Sequence, residues 1–339
     1  MRLGVIARGE NRGLGILTWE VCRHLNPDKV LLVNMGSLAR GFPIHHARYD
    51  PSRTTVAHYY DGHLDERVVR DWLDGLDVVY SAETFYDRRL VGWGKLAGVK
   101  TILHAMPEFL PPDMPRPTRL WLPTPWRAEH AGPHLLVPIP VPLDRWRWPA
   151  VNVDGPLRVL HVAGHQAAAD RNGTVPFLRA CSILHEAVDV TVVDQDARSW
   201  SNAKVGPYST LKIEGPHADY WTMYEGHDVL VMPRRYGGLC LPVQEAIGAG
   251  LVPLLPAISP NEWYPAVLTK TSLNGRLFTQ AGPIRIGTPL PSSIASAIDL
   301  LARDRGALAA QRRRTAGWAD EHSWDALLPY WRRALEETA

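Results

Sequence analysis

Short apolar runs rich in β-branched residues recur along this chain, each followed by a stretch of helical character. In the first half they are Leu3–Ala7, Val30–Asn34, Asp77–Ala82, Thr101–Ala105, Leu120–Pro123 and Leu135–Ile139. In the second half they are Arg158–Val162, Val188–Val193, Leu211–Glu214, Asp228–Met232 and Leu251–Leu255. A strand covered on both faces is apolar throughout, and that is the composition of a parallel sheet flanked by helices. Runs of this kind alternating with helices indicate βαβ units. Two such series predict an α/β chain with two Rossmann-like, doubly wound parallel-sheet domains. Ligands of such sheets sit beyond the carboxyl ends of the strands, so a cleft between the domains is the expected site.

The length agrees with that division, since 339 residues exceed one ordinary core and suit two domains of about 150 residues. Residues 138–149, PIPVPLDRWRWP, carry four prolines. Proline fixes φ and removes a donor, so this stretch reads as an extended linker. The expected domains are therefore 1–140 and 141–322. A terminal helix over 323–339 follows, with Trp324, Leu327, Leu328, Trp331 and Leu335 near helical spacing.

Composition excludes more than it selects. Hydrophobic content of 45% with 21% charge is that of a folded domain, and a net charge of +2 gives no electrostatic case for nucleic acid or membrane. Cys22, Cys181 and Cys240 form neither a zinc spacing nor a disulfide framework, which points to a reducing compartment. The first apolar run is too short for a signal peptide, and none reaches the ~18 residues of a spanning helix. A soluble, cytoplasmic protein is expected. The scarcity of lysine, six residues in all, fits GC-rich coding of the actinobacterial or phage kind. His45-His46 lacks a partner at ligand spacing, and Asp194-Gln195-Asp196 ends a strand and reads as a solvated loop, so no essential metal is expected.

The most specific stretch is His227–Pro256, HDVLVMPRRYGGLCLPVQEAIGAGLVPLLP. A buried strand leads into Gly237-Gly238, which lets the backbone approach a ligand closely. Pro242 suits the first turn of a helix, and Gly248 or Gly250 ends it. A glycine-rich loop opening onto a helix N-terminus is an anion site, favouring a diphosphate by on the order of 1 kcal/mol. This segment resembles the donor-binding motif of the retaining GT-B glycosyltransferases (group 1, family 4-like). That motif reads roughly Asp-hydrophobic-Pro-Ser-x-x-Glu-Gly-Phe-Gly-Leu-Pro-x-x-Glu-Ala. The resemblance implies that Glu245 binds the nucleotide ribose and that Gly238, Leu239, Cys240 and Leu241 face the diphosphate and sugar. Two positions depart from it. Gly237 stands where the family has a glutamate touching the sugar ring, and Cys240 stands where it has glycine.

Further expectations follow from the same resemblance. In the loop after the first strand of the second half, Gly164-His165 and Arg171-Asn172-Gly173 take the places of the family's Gly-Arg and Lys-Gly. Arg171 is then the candidate cation for the leaving diphosphate, beside His165 and Asn172, and such stabilisation is a major catalytic term. Gly13, Leu14 and Gly15 lie where the family has a glycine-rich loop against the donor phosphates, although a tight turn explains the same residues. His104, at the end of its strand, corresponds to a histidine that contacts the transferred sugar.

The resemblance implies an N-terminal acceptor domain, a C-terminal nucleotide-sugar domain, and a terminal helix packing back on the first. Trp121, Trp126, Trp146 and Trp148 are expected to pack at the junction. The implied activity is transfer of a hexosyl or pentosyl group from a nucleotide-diphosphate sugar to an acceptor hydroxyl, with retention and without a metal or other cofactor. The catalytic candidates are His104, Arg171 and Glu245. A sugar-nucleotide epimerase and a catalytically degenerate nucleotide-sugar-binding protein stay open as alternatives. An NAD enzyme finds no GxGxxG fingerprint here. The acceptor is open among modified DNA (phage DNA included), a protein such as a virion protein, and a small glycoside. Arg8, Arg12, Arg40, Arg48, Arg116, Arg119 and Arg127 are candidates for a polyanion-facing surface.

Overall fold

The computed structural model describes residues 1–39, 42–146, 155–164, 170–196, 200 and 202–339. Two compact units emerge. Unit 1 is Met1–Ile139 together with Trp324–Ala339, and unit 2 is Pro140–Ser323.

Unit 1 runs β1 (Leu3–Ala7), α1 (Gly13–Leu25), β2 (Lys29–Asn34), β3 (Thr54–Tyr60), β4 (His63–Leu64), α2 (Glu66–Leu73), β5 (Val78–Ala82), α3 (Leu90–Leu96), β6 (Lys100–His104), β7 (Arg119–Leu122) and β8 (Leu135–Leu136). Its eight-stranded sheet has the order β4-β3-β2-β1-β5-β6-β7-β8, parallel except for the β3–β4 pairing. Every residue of β1 and β5 is buried, as a central parallel strand requires. Asp65 caps α2 by accepting from the Val68 N–H at 3.2 Å. One face of the sheet packs Ile6, Leu31, Val79 and Leu103 against Trp72, Leu73, Leu90 and Trp93.

Unit 2 runs β9 (Leu157–Gly164), α4 (Thr174–Cys181), β10 (Val188–Asp194), β11 (Thr210–Glu214), β12 (Val229–Val231), α5 (Leu241–Gly248), β13 (Val252–Pro256), β14 (Val267–Thr269), β15 (Thr271–Thr279), β16 (Gly282–Pro289), α6 (Pro291–Arg303) and α7 (Arg305–Glu321). Six parallel strands take the order β11-β10-β9-β12-β13-β14, and β15–β16 form a separate antiparallel hairpin. The last helix, α8 (Trp324–Glu336), returns to unit 1. There the Trp331 indole donates to the Pro138 carbonyl at 2.9 Å, and Trp324 stacks on His24.

Strand order reverses between β1 and β5 in unit 1 and between β9 and β12 in unit 2. Loops diverge at such switch points, and the crevice left beyond the strand ends is where doubly wound sheets take ligands. Every strand expected from the sequence is present within a few residues. The sequence reading left out β3, β4, β14 and the hairpin β15–β16. In β3 exposed and buried positions interrupt one another, and β14 has three residues, too few to make a pattern.

Candidate functional site

The switch point of unit 2 gathers the donor candidates. Asp228, just before β12, is buried and accepts two guanidinium N–H groups and the backbone N–H of Arg158 at 2.9 to 3.0 Å. The acid that opens the motif therefore ties β12 to β9. Beyond β12 the chain turns through Pro233, Arg234, Arg235, Tyr236, Gly237 and Gly238 into α5. The Arg235 N–H donates to the Arg171 carbonyl at 2.8 Å, which joins this loop to the one that follows β9.

The β9–α4 loop packs against that segment. Gly173 has φ +72, and a Cβ built on it would stand 2.1 Å from the Pro233 carbonyl oxygen. Only glycine permits this approach. Asp170 accepts the N–H groups of Thr174 and Val175, both at 3.0 Å, so its carboxylate caps α4. Asn172 donates its amide to the Ala163 carbonyl at 2.9 Å and to Val162 at 3.3 Å, which fixes the end of β9. The Arg171 guanidinium lies 5.3 Å from the Tyr236 ring centre, a cation–π distance. His165 lies outside the described residues.

Helix α5 opens at Cys240 with no side-chain cap, carries proline in its first turn and has no acidic residue there. Its N-terminus therefore presents positive partial charge that no carboxylate in the first turn offsets. Glu245, one turn on, is 5% exposed and accepts the Tyr224 hydroxyl on Oε2 at 2.5 Å. Burial, and next the Glu245 charge, push the Tyr224 phenol far above its ordinary pKa, so it stays a donor and holds the carboxylate in place. Leu239 and Cys240 are buried, Leu241 is half-buried, and the Leu239 carbonyl accepts from the Arg234 guanidinium.

The remaining candidates lie in unit 1. His104 is 3% exposed, among the rings of Tyr80, Trp121 and Trp331 at 5.4 to 5.9 Å. The Tyr80 hydroxyl lies 3.0 Å from Nδ1. Burial lowers its pKa to about 3, with the Val137 backbone opposing, so the ring is neutral at working pH. These are the surroundings of a core histidine. Gly13 and Leu14 open α1, and Leu14 packs on the core. A Cβ on Gly15 would stand 2.1 Å from the Glu10 carbonyl oxygen, so Gly15 makes the tight turn possible.

Several of the scattered arginines are engaged locally. Arg8 makes a two-pronged pair with the fully buried Glu10 at 2.6 and 2.9 Å. Arg12 lies near the Phe42 ring. Arg48 stacks on Trp19 and donates to Asn11, and Arg40 lies outside the described residues. A cavity of about 700 Å³ lined by Arg116, Arg119, His130 and His134 holds none of the donor candidates. Among the described residues no three His, Cys, Asp or Glu side chains are placed to hold a metal ion. Asp194 instead accepts the Trp200 indole N–H at 2.8 Å. No described helix is long and apolar enough to cross a membrane.

Two residues of this region escaped the sequence reading. Arg234 shows as half of an Arg-Arg pair after Pro233, but nothing local says which arginine turns inward. Tyr224 lies in a 3-10 turn 21 residues before Glu245, and no spacing rule connects them.

No protein-family model and no curated protein sequence matches the chain. Solved structures do. Anabaena HepE, in complex with UDP and glucose, superposes with a TM-score of 0.69 at 11% identity, covering 99% of this chain and 100% of that one. The pneumococcal O-GlcNAc transferase GtfA, with UDP and GlcNAc, gives 0.70 at 11% identity over 100% and 99%. Sucrose-phosphate synthase from Thermosynechococcus elongatus gives 0.69 at 12% identity over 100% of both chains. With its two doubly wound parallel sheets, this chain has the GT-B fold of nucleotide-sugar glycosyltransferases.

Proposed function

We propose that this protein transfers a sugar from a nucleotide-diphosphate donor, bound by unit 2, to an acceptor hydroxyl with retention of configuration. The observation that carries the proposal is the β12–α5 segment. It joins a glycine pair, a helix N-terminus without a side-chain cap and a carboxylate fixed by a buried tyrosine. Glu245 accepts the ribose hydroxyls, a charge-assisted contact of about 1.5–3 kcal/mol. The diphosphate lies at the start of α5 beside Gly238–Leu241, and Arg171 neutralises the charge that grows on it as the glycosidic bond breaks. The departing phosphate takes the acceptor proton. His104 enters only as a packing residue. UDP complexes of HepE and GtfA support a uridine donor, and the acceptor is a hydroxyl of DNA, protein or a small glycoside.

Release of nucleoside diphosphate from a panel of nucleotide-sugars tests this. Arg171→Ala should slow release by roughly 10²-fold, and Glu245→Gln should weaken donor binding about tenfold or more. Wild-type rates and affinities in both variants would contradict the proposal. The absence of a carboxylate at Gly237 favours one second reading, a protein that binds the donor without cleaving it. It predicts tight binding of one nucleotide-sugar and no release with any acceptor.

A further inference from the structure

Two guanidinium groups meet at Gly237. A Cβ built on that residue would stand 2.3 Å from Nη2 of Arg234 and 2.5 Å from Nη2 of Arg171. The two nitrogens are thus no farther apart than those distances added together. Like charges this close repel, and more strongly as water is excluded. Arg234 is 7% exposed, and a guanidinium offers five N–H donors and no acceptor. Its hydrogen bond among the described residues goes to the neutral Leu239 carbonyl. Gly237 itself has φ +115, where a side chain is strained, so backbone conformation and free space both reserve this place for the arginines. The segment leads directly into the N-terminus of α5, which carries no acid in its first turn.

Paired forks of N–H donors beside a helix N-terminus match an oxyanion with two or more acceptor atoms. We propose that Arg234 and Arg171, meeting on Gly237, form a two-arginine clamp for an oxyanion of the donor. That oxyanion is either the diphosphate or a carboxylate on the transferred sugar. The proposal rests on the donor assignment above and extends it to a residue outside that assignment. Arg234 stands where the resembled motif has serine.

Titration calorimetry of the intact chain and of Arg234→Met, with pyrophosphate, UDP, UDP-glucose and UDP-glucuronate, tests the clamp. A tenfold or greater rise in Kd for pyrophosphate and UDP alike supports it and identifies the diphosphate as the group held. The same rise for UDP-glucuronate, with UDP-glucose and pyrophosphate unchanged, supports it with the sugar carboxylate as that group. Arg234-dependent binding of pyrophosphate alone supports the clamp and counts against a uridine donor. Unchanged affinities in a folded Arg234→Met chain overturn the clamp and leave the donor assignment standing. Failure of the wild-type chain to bind any of the four overturns it as well. If circular dichroism shows that Arg234→Met does not fold, Arg234→Lys, which keeps the charge and removes the fork, is read in its place with the same criteria. A purely structural role for Arg234 would shift the melting temperature and leave the four affinities at their wild-type values.

Discussion

At the proposed donor site Gly237 matters by lacking a side chain. Gly237→Ala would place a methyl group against both guanidinium groups in a backbone region open mainly to glycine. It should weaken donor binding at least tenfold and cost about 1–3 kcal/mol of stability. Unchanged calorimetric affinity would show that the arginines need not meet. His104 makes a different prediction. Folded, its imidazole stays neutral to about pH 3, whereas an ordinary histidine takes up a proton near 6.5. Stability is therefore full above about pH 6.5 and falls as pH drops toward 3, because the unfolded chain binds the extra proton. His227 and His322, also lowered chiefly by burial, act with the same sign. His104→Phe should flatten the fall in urea midpoint between pH 7 and pH 4, and an unaltered slope would contradict this. Residue identity alone reveals Glu245 and Arg171 as charged groups in a recognisable string. It does not reveal Tyr224 or the inward turn of Arg234, which depend on how distant segments close around them.

Elements set those residues in place through two loops packed together. Gly173 lets the β9–α4 loop touch Pro233, and Asp170 holds the start of α4. Asp170→Ala should cost about 1 kcal/mol, as loss of a helix cap does, measured as a lower urea midpoint at unchanged slope. Equal stability would mean that solvent satisfies the two N–H groups. The central strands were legible because β1, β5 and β12 are buried on both faces and so consist of apolar residues throughout. Edges were not. A strand such as β3, paired on its outer side only to the two-residue β4, keeps polar residues that hide its period. Hairpin β15–β16 is exposed along much of its length and offers no apolar run.

The whole chain is built from one continuous and one discontinuous unit. Passage from unit 1 to unit 2 falls at Pro140, within the proline-rich stretch. Unit 1 is completed only by α8, whose Trp331 is fully buried beside Tyr80, His104 and Trp121. Trp331→Ala should therefore destabilise unit 1 by about 3–5 kcal/mol. A fragment of residues 1–139 should lack a cooperative melt, while residues 140–323 should fold alone and keep nucleotide binding. A cooperative melt of 1–139 would show that α8 is dispensable. Both doubly wound sheets could be read from the alternation of runs and helices, because that pattern belongs to the sheet as a whole.

The central claim is that unit 2 holds a nucleotide-diphosphate sugar through Glu245 and the start of α5. A thermal-shift screen of the purified chain against UDP-, GDP-, ADP-, TDP- and CMP-sugars, with the free nucleotides and NAD alongside, tests it most directly. At a hundred times its dissociation constant one nucleotide-diphosphate sugar should add about 2.7 kcal/mol of stability, and Glu245→Gln should lose most of that gain. Flat traces for every nucleotide-sugar, or a shift with NAD alone, would contradict it.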